Sequence, residues 1–185
     1  MEHQPKKKTF NHPKAKEEVP QQFEAQLQVY KDQQRPIIYP DESGFKRNNC
    51  RPYGYAAKGQ RCYVLFDWQG RNRTNAIGAL YEGNLFAVGL FDCTVNGAVF
   101  DAWTEQMLIP NLPECSVVVM DNAAFHKGEA QQLLEENGHT VLWLPPYSPD
   151  LNPIERCWAM VKSWRRKWRL DDVDVLFERV LSIEN

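Results

Sequence analysis

The strongest constraint on the fold comes from two short runs, "VVVM" at 117–120 within "CSVVVMDN" and "TVLWL" at 140–144. A strand with one wet face alternates polar and apolar residues; a strand apolar throughout is buried on both faces and needs a layer of structure on each side. Between the two runs, Lys127 to Asn137 has helical composition and stops at Gly138. Upstream, "QRCYVLFDWQGRNRTNAIGALYEGNLFAVGLFD" reads as three strands, about 61–67, 74–81 and 84–91, with turns at Gln69-Gly70 and Glu82-Gly83-Asn84, an antiparallel meander. Helical patterns cover Glu17 to Gln34, ended by Pro36, then Gly97 to Leu108, then 153–168, with a shorter acidic helix last. Consecutive strands followed by alternating helices and strands predict an α/β fold: a mixed central sheet with helices on both faces. The chain has 185 residues and 43% hydrophobic content, enough for one well-buried domain. Residues 1–35 form a polar arm and a helix, 36–170 the main domain, and 171–185 an acidic C-terminal helix.

The N-terminus "MEHQPKKKTF" lacks the apolar core of a signal peptide, and no apolar run approaches the roughly 18 residues of a membrane span. Five scattered cysteines with no C-x-x-C pair read as reduced thiols. A cytoplasmic protein without a membrane partner is the expectation. The net charge of -2 conceals a segregation along the chain. Lys46, Arg47, Arg51, Lys58, Arg61, Arg71 and Arg73 crowd one segment against Asp67 alone, and "KSWRRKWR" at 162–169 interleaves five cations with two tryptophans. Cations that release counterions and aromatics that stack suit a nucleic-acid partner, although either block by itself could be a solvated face.

Two carboxylates end apolar runs. Ile37 to Tyr39 delivers Asp41 into a Gly-containing turn, and Asp121 follows "VVVM". Were those strands neighbours, the two carboxylates would emerge side by side at the sheet edge where ligands of α/β proteins collect, and they would need a cation. Oxygen ligands without a histidine cluster suit Mg2+ or Mn2+. A third oxygen ligand is offered by "PPYSPDLNPIE", 145–155, which packs four prolines into eleven residues and then releases a helix. Asn152 suits the N-cap, Pro153 the first helical position, and Glu155 the third. Prolines restrict φ and remove donors, so they aim the helix reproducibly, as a metal-ligating carboxylate requires. The alternatives are plainer: a turn-forming aspartate, a capping-box glutamate, and a structural His126.

"DESGF" at 41–45, "MDNAAFH" at 120–126 and "PPYSPDLNPIE" at 145–155, with the intervening "RPYGYAAKGQR" and "GRNRTNAIGAL", resemble the motifs of the DDE transposases of the insertion-sequence 630 and mariner superfamily. The resemblance runs from about Pro36 to Trp168, and the separation of 34 positions (155 − 121) is that of the Asp-Asp-Glu branch. It implies a ribonuclease H-like fold over the catalytic domain 36–170. It also implies a catalytic and metal-binding triad of Asp41, Asp121 and Glu155 holding two Mg2+ or Mn2+ ions, with Asn122 and His126 as matched residues of the second motif. Strand cleavage followed by strand transfer into target DNA is the implied activity, performed by a homodimer on transposon ends. Such transposases carry helix-turn-helix modules, and only 40 residues precede Asp41. A separate or upstream helix-turn-helix segment is therefore expected.

On the helix at 153–168, Glu155, Ala159, Lys162, Arg166 and Arg169 share one face. Lys162, Arg165, Arg166 and Arg169 of the basic block are the candidate DNA contacts. Ile154, Cys157, Val161, Trp164 and Trp168 form an apolar stripe predicted to be core, leaving Trp158 near the site. Three other readings stay open: a ribonuclease H-like nuclease, an inactive DNA-binding remnant, and a zinc module built on His126, His139 and Cys157.

Overall fold

The computed structural model of the chain describes residues 18–46, 73–121, 129–146 and 148–183. Its centre is a five-stranded mixed sheet: β1 (Ile37–Lys46), β2 (Arg73–Tyr81), β3 (Asn84–Phe91), β4 (Val117–Met120) and β5 (Thr140–Trp143), in the spatial order β3-β2-β1-β4-β5. β1, β2 and β3 pair antiparallel, while β1 with β4 and β4 with β5 pair parallel. The expected strand over 61–67 and its Gln69-Gly70 turn lie outside the described residues, so the antiparallel neighbours of β2 are β1 and β3. The second turn is as read. Glu82 and Gly83 both take positive φ (50° and 88°) between the paired Tyr81 and Asn84, the geometry that matches strand twist in a two-residue hairpin.

Among the described residues five α-helices flank the sheet: α1 (Glu18–Asp32), α2 (Gly97–Trp103), α3 (Ala130–Glu136), α4 (Ile154–Trp168) and α5 (Val173–Ile183). The helix expected over Gly97 to Leu108 begins where predicted, with Asn96 Oδ1 accepting from the Val99 N–H. Beyond Trp103 it loosens into a wider turn over Thr104–Leu108 and a tight one over Ile109–Asn111. Three helices stop by the same device. Gln34, Gly138 and Arg169 take positive φ, and the next amide donates back to the carbonyl five residues earlier: Arg35 to Tyr30, His139 to Leu134, Leu170 to Arg165. Such a stop satisfies carbonyls that a helix end leaves bare. Asp172 caps α5, its carboxylate accepting from the Asp174 and Val175 amides.

Alternation along the strands divides the core. Ile38, Ile77, Ala79, Val118 and Met120 face α2 and α3, packing with Phe100, Trp103 and Leu134. On the other face Phe45, Ala76 and Leu80 lie under α4 and α5, and Val117, Val119 and Leu142 lie under Phe23 and Leu27 of α1. The acidic α5 is amphipathic: Val173, Leu176, Phe177 and Val180 are buried while Asp174 and Glu178 are exposed. It joins the same core as α4, and α1 joins the core beside β4. No described helix is long and apolar enough to cross a membrane.

The tryptophan assignment is corrected by the packing. Trp158 is the fully buried one (2% exposed), with its ring edge-on to Phe45 and Phe177 at 6.3 Å from each. Trp164 and Trp168 are only half-buried. They stack on one another at 5.7 Å, and Arg179 lies 4.2 Å over Trp168. The 3.6-residue period turns the helix so that position 158 points straight at the sheet, and the later tryptophans reach its rim.

His139, 9% exposed between α3 and β5, has its pKa lowered by burial and, secondarily, by the Arg35 guanidinium. The folded chain therefore disfavours imidazolium, and below the ordinary value near 6.5 the unfolded chain binds more protons, so stability falls with acid. The denaturant midpoint of the wild type is expected to drop between pH 7.5 and pH 5.5 by more than that of His139→Gln. Equal drops would show that another group carries the acid response.

Candidate active site

The parallel pairing of β1 with β4 sets Ile37 opposite Val117 and Ile38 opposite Val118. Asp41 lies four residues beyond Ile37, and Asp121 four beyond Val117. The two carboxylates therefore occupy equivalent heights on adjacent strands. They also share a face: Ile37, Tyr39, Val117 and Val119, at the same parity, all pack on the α1 side of the sheet. Both aspartates are half-buried.

One expectation is corrected here. Asp41 is not in a turn, because β1 continues to Lys46 and pairs Asp41 with Gly78 of β2. β1 exchanges partners, running beside β4 only through Ile38 and beside β2 from Tyr39 onward. Phe45, buried beneath α4, anchors the added length.

α4 crosses this same face along β1. Pro153, just before it, lines a depression with Tyr39. Further on, Trp158 meets Phe45, and Lys162 Nζ sits 5.4 Å over the Phe45 ring. The helix thus advances in the direction of β1, and Glu155 falls in the interval of β1 that contains Asp41. Trp158 fixes the approach, since a Cβ on Gly78, the partner of Asp41, would lie 3.1 Å from the Trp158 ring. Composition singles out neither Gly78 nor Trp158; the pairing of residue 41 with residue 78 across a sheet is the missing information.

The proline segment is held at both ends. The Leu144 amide donates to the Met120 carbonyl at 2.8 Å, next to Asp121, and Pro149–Leu151 forms a tight helical turn before α4. Asn152 departs from expectation. It is 5% exposed, but no side chain caps α4, Pro153 occupies the cap position, and among the described residues Asn152 Oδ1 has no hydrogen-bond partner. Glu155 makes no capping bond either and is exposed, which leaves its carboxylate available to a ligand.

Among the described residues no three His, Cys, Asp or Glu groups lie close enough to hold a metal ion. Asp41, Asp121 and Glu155 are aligned on one face rather than converged. As a donor set they fit a hard divalent cation, with like charges having no reason to close up unaided. Asn122 and His126 lie outside the described residues, as does most of the basic segment between Lys46 and Arg73. His139 and Cys157 belong to separate places, the α3–β5 turn and the core beneath α4.

Of the candidate DNA contacts, Arg166 and Arg169 are exposed and Lys162 is half-buried, on the helix face of Glu155. Arg165 is a correction. At 3% exposed, its guanidinium donates to the carbonyls of Leu170 (3.0 Å) and Asp171 (2.7 Å), closing the α4–α5 corner, and burial lowers its pKa. A guanidinium so engaged cannot reach a phosphate. Arg35, which sequence reasoning passed over, is a second such tie, donating to the carbonyls of Cys115 and Ser116 and to Thr140 Oγ1.

A mixed sheet in this order, with two aspartates at matched heights on adjacent central strands and a glutamate-bearing helix laid across them, is a ribonuclease H-like fold with an acidic site. The fold is shared with solved complexes. A chain of the Mos1 strand transfer complex matches with a TM-score of 0.61 at 21% identity, over 98% of this chain and 63% of that one. The Mos1 mariner paired-end complex with Mn matches at 0.62 and 21% identity, over 98% and 64%. A chain of a simian T-cell lymphotropic virus intasome complex with the PP2A regulatory subunit B56 gamma matches at 0.52 and 16% identity, over 78% and 46%. This chain thus spans less than two thirds of the Mos1 chains. No curated protein sequence matches it. The family model of the DDE superfamily endonucleases matches residues 36–176, and the chain belongs to that family.

Replacing Arg165 by glutamine is expected to destabilise the fold by about 1–3 kcal/mol, since a buried guanidinium that donates to two carbonyls is lost. Arg166→Gln should change stability by no more than about 0.5 kcal/mol. Urea unfolding of both variants checks the contrast, and equal stabilities would return Arg165 to the DNA-binding set.

Proposed function

We propose that this chain is the catalytic part of a DNA transposase that cleaves DNA strands and joins the freed ends to target DNA. The observation that carries the reading is the equal height of Asp41 and Asp121 on adjacent parallel strands, on the face crossed by the helix of Glu155. Its support is the family membership, together with relatives solved as a strand transfer complex and as paired-end complexes with Mn and with Mg.

In this reading Asp41, Asp121 and Glu155 hold two divalent cations, Mg2+ or Mn2+. Bound there, the pair would activate a water or DNA 3′-hydroxyl and stabilise the leaving oxygen of an in-line displacement. The chain's own contribution is placement. β1 and β4 hold two carboxylates on a rigid sheet, and the tethered proline segment presents the third from the first turn of α4. Lys162, Arg166 and Arg169, on the face of Glu155, would carry the phosphates that flank the scissile one. Lys162 is already steadied over Phe45. DNA is the partner, and two copies acting on paired ends is the assembly this reading implies. A ribonuclease H-like nuclease would use the same carboxylates, and strand transfer is what separates the two activities.

Asp41→Ala, Asp121→Ala and Glu155→Ala are each expected to lower Mg2+- or Mn2+-dependent DNA cleavage by at least about 100-fold with the circular dichroism spectrum unchanged. A variant that cleaved normally would remove its residue from the triad. With a pre-cut DNA end, the wild type should form strand-transfer products; hydrolysis alone would leave the nuclease reading.

Changing Lys162, Arg166 and Arg169 together to glutamine is expected to weaken DNA binding uniformly across sequences. The slope of log K against log salt should fall by about 3, roughly one for each phosphate left without its cation. An unaltered slope would make this face a solvated one.

A further inference from the structure

A cavity of about 570 Å³ opens between the end of α1, the start of β1 and the β2–β3 turn. Its wall reaches the site through two residues. Tyr39 stands two positions before Asp41 on the same strand face, and Pro153 stands two positions before Glu155. Tyr39, Pro153 and Leu80 give the cavity lining an aromatic and apolar part, and Lys31, Gln34 and Glu82 a polar one at the rim. Arg35 also lines it, but its guanidinium is engaged with Cys115, Ser116 and Thr140. Lys31 is therefore the exposed cation of the rim.

These features match the needs of one chemical class. A nucleobase wants flat apolar surfaces for its π-face and hydrogen-bonding groups at its edges, and its phosphate wants a cation. The volume lies in the range of ordinary small-molecule sites and exceeds what a bare phosphate would fill. Two residues of strand span roughly 6–7 Å, so the cavity mouth is about that far from Asp41. That reach suits the nucleotide beside a phosphate held at the carboxylates. We propose that the cavity receives a single unpaired nucleotide flanking the cleaved phosphodiester, its base against Tyr39 and Pro153 and its phosphate toward Lys31. The inference rests on the reading of the carboxylates as a DNA-cleaving site and adds a preference for frayed or single-stranded ends over blunt duplex.

The test uses the full 185-residue chain and two oligonucleotide duplexes of equal length. One is blunt, and the other ends in a single unpaired 2-aminopurine nucleotide. The wild type is expected to bind the unpaired end roughly tenfold more tightly, a modest share of what one stacked base supplies, and to quench its fluorescence. Tyr39→Leu and Lys31→Gln should each bring the affinity ratio toward one. Because Tyr39 packs partly into the core, the exposed Lys31→Gln variant keeps the test valid if Tyr39→Leu fails to fold. Equal wild-type affinities for the two duplexes, or a preference that survives Lys31→Gln, would overturn the inference. Cleavage that depends on Asp41, Asp121 and Glu155 would stand in either case, whereas cleavage surviving their replacement would instead bring down the reading on which this one rests.

Discussion

The parallel pairing of β1 with β4 is the contact on which the rest of the molecule depends. It covers only Ile37 with Val117 and Ile38 with Val118, after which β1 runs beside β2 alone among its paired neighbours. That short overlap does two things. It sets the register that brings Asp41 level with Asp121, and it ends before either carboxylate is reached. Because side chains alternate with period two, a slip of one residue would send Asp41 to the α2–α3 face while Asp121 stayed on the other. Burial guards the register. Ile38 and Val118 are fully buried on one face, Val117 on the other, and no slipped arrangement keeps all three covered.

The third carboxylate depends on a helix rather than a strand, and helices slide more easily than paired strands. α4 is held by contacts along its whole length. Trp158 packs against Gly78 and between two phenylalanines, Lys162 lies over Phe45, and Arg165 ties the last turn to the chain that leads into α5. At its start, the segment that feeds it hangs from the end of β4 by the bond from Leu144 to Met120. The stiff proline loop makes sense in this frame: it joins β5, tied by Leu144 to the end of β4 beside Asp121, to the helix that carries Glu155, and slack there would blur the distance between Asp121 and Glu155. The stacked Trp164 and Trp168, with Arg179 above, extend the same corner outward to the surface.

Much of this was legible from local chemistry. The two apolar runs announced doubly covered strands, Gly83 and Gly138 marked turns at positive φ, and the proline-rich segment announced the start of α4. Errors cluster where a distant contact overrides a local signal. "PDESG" reads as a turn, yet pairing with β2 holds it extended; Asn152 reads as a cap, yet it is buried beside Pro153; Arg165 reads as part of a basic face, yet the corner it closes draws it inside. The spacing of apolar residues on α4 located its buried stripe but was off by a position for tryptophan, because a half-buried indole and a buried one occupy neighbouring places on a 3.6-residue helix.

By itself the sequence determined the elements, their order and the chemical identity of the candidate ligands: three carboxylates, each at the edge of an apolar run or a braced loop, and a basic helix behind the last of them. Those are properties of short stretches, and local propensity and periodicity report them. Only the tertiary structure decided that Asp41 and Asp121 stand at one height on one face, that Trp158 and Gly78 set the approach of Glu155, and that Arg165 is structural while Arg166 and Arg169 are exposed and Lys162 lies half-buried over Phe45. Those facts depend on which strand lies beside which and in what register, and that choice is made by burying both sheet faces at once, a condition that no single stretch of the chain contains.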